Sequence, residues 1–194
     1  MVEIMAIAAV VLAVAVAIVL ALAATKPASF SVRRAALVKA APEKIFSLIN
    51  DFHQWGSWSP YEHKDPAMKR SYSGAAAGRG AVYAWDGNNN VGSGRMEILD
   101  SSAPSKIVIK LDFFRPFEGH NTAEFTMLPQ GGATHRTTDP TTDVTTNVTT
   151  NVTWLMHGPA PFMSRLMQVF MNIDHMIGKD FEVGLANLKR LTEQ

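Results

Sequence analysis

The chain has 194 residues, a formal charge of +1 and no cysteine. That length allows one substantial domain with an appendage. The charge balance argues against nucleic acid or a strongly acidic partner, and the missing cysteines exclude disulfides and thiolate metal sites without fixing a compartment.

Ile4 to Ala24 is a run of 21 uncharged residues, almost all Ala, Val, Leu or Ile. As a helix it spans about 31 Å, the thickness of a bilayer's hydrocarbon core. A small soluble domain has no place for a helix that is apolar on every side, so residues 1–25 are expected to be a single transmembrane segment. Ala21-Leu22-Ala23 resembles a cleavage site, but Met1-Val2-Glu3 lacks the usual Lys or Arg, which favours an uncleaved anchor. Lys26, Arg33, Arg34 and Lys39 follow the segment. By the positive-inside rule they would keep that side cytoplasmic.

Residues 26–29 form a short linker, and the remaining chain, 30–194, is expected to be one domain. Phe30 to Val38 reads as a strand. Pro42 and Glu43 open a helix that runs to about Asn50, with proline and an acid in the first turn where both are favoured. Phe52 to Pro66 is rich in turns and holds Phe52, Trp55, Trp58 and Tyr61 within ten residues. Such a segment must tuck against something apolar.

A series of strands follows at 68–72, 81–85, 94–98, 106–114, 121–128 and 153–157. Apolar side chains alternate along them, most clearly Ile107, Ile109, Leu111 and Phe113 against Val108, Lys110, Asp112 and Phe114. Half-polar alternation between short turns means an antiparallel sheet with one covered face. Thr137 to Val152 interrupts the series with four tandem tetrapeptides, TTDP, TTDV, TTNV and TTNV. It reads as an inserted low-complexity tract, although the repeat would keep Val144, Val148 and Val152 on one strand face. From Pro161 to the end, apolar residues recur in steps of three and four opposite a polar stripe, which predicts one long amphipathic helix. Met163, Met167 and Met171 flank its apolar stripe, where they fill the core or line an adaptable cavity.

No metal-ligand spacing, phosphate loop or nucleotide fingerprint is present, so no cofactor is expected. The six histidines are scattered. His175 falls on the polar stripe, and His157 has the opposite parity to Trp154 and Met156. His120-Asn121 could sit in a turn or reach a cavity mouth. Asp112 and Glu118 share no spacing that fixes a site. Trp55 and Trp58 are candidates for a lid over a cavity, or for core packing of their loop. No feature sets an oligomeric state.

Ala41-Pro42-Glu43-Lys44-Ile45-Phe46, Asn50-Asp51-Phe52-His53-Gln54-Trp55, Trp58-Ser59-Pro60, Gly94-Arg95-Met96 and Trp154-Leu155-Met156-His157-Gly158, with the closing helix, resemble the SRPBCC (START-like) superfamily. Within it the chain is similar to membrane-anchored bacterial proteins of the polyketide cyclase/dehydratase-like group. The resemblance implies an α+β helix-grip fold, a curved antiparallel sheet wrapped on a long C-terminal helix, with a hydrophobic ligand cavity between them. It implies an inner-membrane protein whose domain faces outward, and it carries over no catalytic residue. The expected ligand is a hydrophobic small molecule, lipid- or polyketide-like. Strand parity then places Tyr83, Trp85, Met96, Ile109, Leu111, Phe113, Phe125, Trp154 and Met156 on the concave face, opposed by Phe170, Ile173 and Ile177, with Trp55 and Trp58 over the opening. Few polar groups are expected inside. A cyclase-type enzyme and a ligand-free interaction domain of the co-chaperone type are the other readings.

Overall fold

The computed structural model describes residues 1–130 and 148–194. Helix α1 (Val2–Thr25) is followed within four residues by strand β1 (Ser29–Val38). Helix α2 (Pro42–Asn50), a 3-10 turn at Phe52–Ser57 and short helix α3 (Pro60–Lys64) come next. Strands β2 (Lys69–Gly74), β3 (Ala81–Asp86), β4 (Ser93–Ser102), β5 (Lys106–Arg115), β6 (Gly119–Gln130) and β7 (Thr149–Pro159) build the sheet. Helices α4 (Phe162–Phe170) and α5 (Ile173–Thr192) close the chain.

The seven strands form one antiparallel sheet in the order β1-β7-β6-β5-β4-β3-β2. Neighbours in sequence are neighbours in space except at β1, which closes onto β7 with Ser29 opposite Pro159 and Val38 opposite Thr150. The β4–β5 register slips at two places, leaving Leu99 and Phe114 without partners. Each extra residue is a bulge, which bends its strand and adds to the sheet's curl. Both side chains are exposed as a result.

Helix α5 lies in the curl and buries Phe181, Leu185 and Leu188. Trp154 of β7 stacks on Phe181 with ring centroids 4.0 Å apart and planes 7° from parallel. Arg34 of β1 crosses α5 at Gly178, donating to Asp174 at 3.0 Å and to Glu182 at 2.8 Å. A Cβ at residue 178 would sit 2.0 Å from that guanidinium, so only glycine leaves the arginine its path. This is the helix-grip arrangement.

Two expectations need correction here. The C-terminal segment is two helices, because Met171 and Asn172 are extended and the Asn172 side chain caps α5 by accepting from the His175 N–H at 3.0 Å. An asparagine at this position accepts from an N–H that the first turn of a helix leaves without a backbone partner, which favours starting a new helix there. Met163 and Met171 are exposed rather than core. The second concerns the threonine repeat. Its residues 137–147 lie outside the described residues, but Thr149–Val152 are the first residues of β7. Thr150 and Val152 are fully buried there, and the Thr150 hydroxyl donates to the Ala40 carbonyl at 2.7 Å.

Candidate ligand cavity

Between the sheet and α5 lies a cavity of about 430 Å³. Alternation on β3, β4, β5 and β7 turns Tyr83, Trp85, Met96, Leu111, Phe113, Trp154 and Met156 into it. Ile173 and Ile177 of α5 face them, and Trp55 completes the wall from the 3-10 turn. The cavity reaches the surface at Asn89, Asn90 and Pro116, all exposed.

Four expected residues stand elsewhere. Ile109 and Phe125 point the right way but are wholly buried in the packed part of the core, under α2 and the aromatic turn. Trp58 is likewise fully buried, its indole N–H donating to the Leu48 carbonyl at 3.1 Å. Trp55 donates to the Ile49 carbonyl at 2.9 Å, so both tryptophans are fixed to α2 and neither is a lid. Phe170 is 72% exposed at the end of α4 and lines nothing, because the break at Met171–Asn172 turns α4 away from the line of α5.

The wall is more polar than strand parity predicts. Glu62 of α3 accepts from the Tyr83 hydroxyl at 2.6 Å and from Arg70 Nε at 2.7 Å. Lys64 Nζ donates to Asp180 of α5 at 2.6 Å and lies 5.0 Å from the centroid of the Tyr61 ring. All six residues but Arg70 line the cavity. Burial pushes both tyrosine hydroxyls well above their usual range, and the adjoining carboxylates add to the effect. Glu62 is therefore matched by a cation and a phenol and Asp180 by a cation, so the wall is polar but internally compensated. Ser164 and Gln168 of α4 add neutral polar groups, as does Asn121 of β6. Parity missed these because most come from helices. The signal that could have found α3 is Ser59-Pro60, an N-cap type followed by proline at the first helical position.

Outside the cavity, Asp112 accepts from His120 at 2.8 Å and pairs with Lys110 at 2.9 Å on the convex face of the sheet. His120 Nε2 lies 3.5 Å from Glu118, so the two acids do meet, around a histidine. The hydrogen bond to Asp112 raises the His120 pKa. His157 pairs with Glu124 on the same outer face, as its parity predicts.

The fold has relatives among solved structures, all distant in sequence. Protein CV1439 from Chromobacterium violaceum is 12% identical with a TM-score of 0.55, covering 84% of this chain and 97% of that one. The di-domain ARO/CYC BexL from the BE-7585A biosynthetic pathway is 11% identical with a TM-score of 0.54, and the match covers 89% of this chain but 53% of that one. The major latex-like protein 151 of Panax ginseng is 9% identical with a TM-score of 0.53, covering 86% and 99%. No curated protein matches the chain. The family described as polyketide cyclase / dehydrase and lipid transport matches residues 29–193, from the first strand to the end of the last helix. The chain therefore belongs to the polyketide cyclase / dehydrase and lipid transport family.

Proposed function

We propose that this is a membrane-anchored protein that binds a hydrophobic small molecule, lipid- or polyketide-like, in the cavity between sheet and α5. The observation that carries the reading is the cavity itself: about 430 Å³ walled mainly by aromatic and aliphatic side chains, with a few polar groups. Sites for small apolar ligands have that size and composition. A ligand there contacts Trp55, Tyr83, Trp85, Met96, Leu111, Phe113, Trp154, Met156, Ile173 and Ile177.

Residues 1–25 serve as the anchor, 26–29 as linker and 30–194 as the binding domain. Helix α1 is long and apolar enough to cross a bilayer. Ala23, at the position where cleavage would fall, is buried, and α1 packs against α4. That packing favours retention of the helix over its removal as a signal. We place the domain on the outer face of the inner membrane.

A second reading is a cyclase-type enzyme, favoured by Tyr83, Glu62, Tyr61 and Asp180 in the cavity wall. A general acid or base works best with a pKa near the operating pH. Both tyrosines are pushed away from it. Binding is therefore the better-supported function.

The test is mass spectrometry of solvent extracts from the full chain purified in mild detergent. We expect a stoichiometric apolar compound in the wild type and its loss in Ile177→Trp, with circular dichroism showing both folded. Equal recovery from the two, or no compound in either, would sink the cavity reading.

A further inference from the structure

The antiparallel register gathers several features at one end of the sheet. Ser29, where the chain arrives from α1, is opposite Pro159, where it leaves for α4. Ser93 is opposite Arg115, and Phe113 is opposite Gly119, so the β3–β4 and β5–β6 turns lie at the same end. The mouth of the cavity is there too, at Asn89, Asn90 and Pro116, with Gln168 of α4 and Met176 of α5.

The chain length between α1 and this end leaves little freedom. At 24 residues α1 is about 36 Å long, which a hydrocarbon core of about 30 Å uses almost entirely. Lys26 to Ala28 can then span only about 10 Å. The Ala160 N–H donates to the Ala28 carbonyl at 2.7 Å, which fixes the start of α4 beside that short link. With α1 in a bilayer, this end of the sheet has to lie against the lipid surface.

Helix α4 has the polarity that position demands. Ser164 and Gln168, one turn apart, line the cavity, while Phe162, Met163 and Phe170 are exposed at 43%, 57% and 72%. Three of its apolar side chains thus face outward while Ser164 and Gln168 face the cavity, and Leu166, Met167 and Val169 are half-buried; a helix on a water-soluble domain turns its polar side chains out instead. The Gln168 Nε2 and Arg165 Nε atoms are buried without a hydrogen-bond partner among the described residues. Phe117, at the tip of the β5–β6 turn, and Met176 are exposed as well, at 55% and 49%. The described turns at the far end, Ala75–Gly80 and Ser102–Ser105, hold no aromatic residue.

We propose that the cavity opens directly onto the bilayer that holds α1, with α4 and the β5–β6 turn seated in the lipid interface, so that the ligand moves between lipid and cavity without crossing water. This rests on the anchor reading above. It adds that the ligand is dissolved in the membrane and that its source is the leaflet on the domain's side. Aromatic and methionine side chains suit the interface, where one side of a helix is apolar and the other wet.

The chain is free of cysteine, so single-cysteine labelling is clean. The full chain is labelled with an environment-sensitive fluorophore at V10C in α1, at F117C or F170C on the rim, or at A76C at the far end. Each variant is reconstituted into phosphatidylcholine–phosphatidylglycerol vesicles containing acyl-chain nitroxide lipids. The expected result is a blue shift and loss of emission at Val10, Phe117 and Phe170, with water-like, unquenched emission at Ala76. Quenching at Val10 with either rim label unquenched overturns the proposal and leaves the anchor standing. No quenching at Val10 overturns the anchor reading and the proposal together. Equal quenching at Ala76 and the rim means the domain lies flat on the membrane, which overturns the proposal as well.

Discussion

The Tyr83 hydroxyl donates to the Glu62 carboxylate at 2.6 Å inside the cavity wall, joining the middle of β3 to a five-residue helix 21 positions earlier in the chain. Arg70 binds the other carboxylate oxygen. Replacing Tyr83 by Phe keeps the ring and removes the donor, leaving a buried carboxylate with one partner fewer. Hydrogen bonds to charged groups contribute about 1.5–3 kcal/mol. Urea unfolding of Tyr83→Phe should show a loss of that size, and no loss would mean water replaces the phenol.

Two of the three tyrosines give a second, optical prediction. Burial holds Tyr61 and Tyr83 well above the ordinary value, with Asp180 and Glu62 adding to it, whereas Tyr72 is 41% exposed. A folded-state pKa above the unfolded one contributes stability that is complete below about pH 10 and lost as the pH rises beyond it. Absorbance at 295 nm should show no more than one tyrosine, the exposed Tyr72, ionising in the folded protein, and the rest should rise only together with loss of the near-ultraviolet dichroism. More than one tyrosinate forming near pH 10 in a folded protein would contradict the burial of Tyr61 and Tyr83.

At acid pH the informative group is Asp174. Its hydrogen bond from Arg34 holds the carboxyl below its usual range, with the guanidinium charge adding to the effect. A depressed carboxyl pKa contributes stability present above about pH 4 and lost as the pH falls below that. Arg34→Gln should lower the denaturation midpoint at pH 7, and the gap to the wild type should narrow as the pH drops from 4 toward 2. A gap independent of pH would assign the effect to packing against Gly178.

Ile109 and Ile177 separate the core from the cavity. Ile109 is completely buried in packed core, whereas Ile177 is half-buried at the core's edge and lines the cavity. Ile109→Trp should cost about 1–3 kcal/mol through overpacking. Ile177→Trp should leave stability nearly unchanged and abolish ligand recovery. The reverse pattern in thermal melts would misplace the cavity.

Deleting Thr137 to Val152 looks harmless from the repeat alone, since long insertions add little loop entropy. The structure predicts otherwise, because the cut removes Thr150 and Val152 from between β1 and β6. Cooperative melting should disappear in that deletion. A retained sharp transition would show that the strand can be rebuilt from upstream residues.

Most of the architecture is legible in the sequence because strand alternation is a local property. β5 reads directly, since Ile107, Ile109 and Leu111 are buried at every second position. Parity reports which face a side chain takes, but not how deep it sits along the strand. Ile109 and Leu111 share a face, and only Leu111 reaches the cavity. The compensated polar groups were illegible for a different reason. Lys64 and Asp180 meet only after α3 and α5 pack together, Glu62 and Tyr83 only across 21 positions of chain, and no periodicity records either pairing. The α4–α5 break was written in Asn172, whose capping role competes with its place on a polar helical stripe.

The pairing of β1 with β7 has a consequence for how the molecule is made. β1 follows α1 within four residues, yet among the described residues its partner strand begins at Thr149. During synthesis β1 therefore emerges and waits for β7 while more than a hundred further residues are added. Such long-range closure is slow, because the chain loses its loop entropy before the contacts form. With α1 in a membrane, as proposed above, the waiting strand would be held where β7 must arrive, and the search would be confined to the membrane surface. The pairing that completes the sheet joins its first strand to its last.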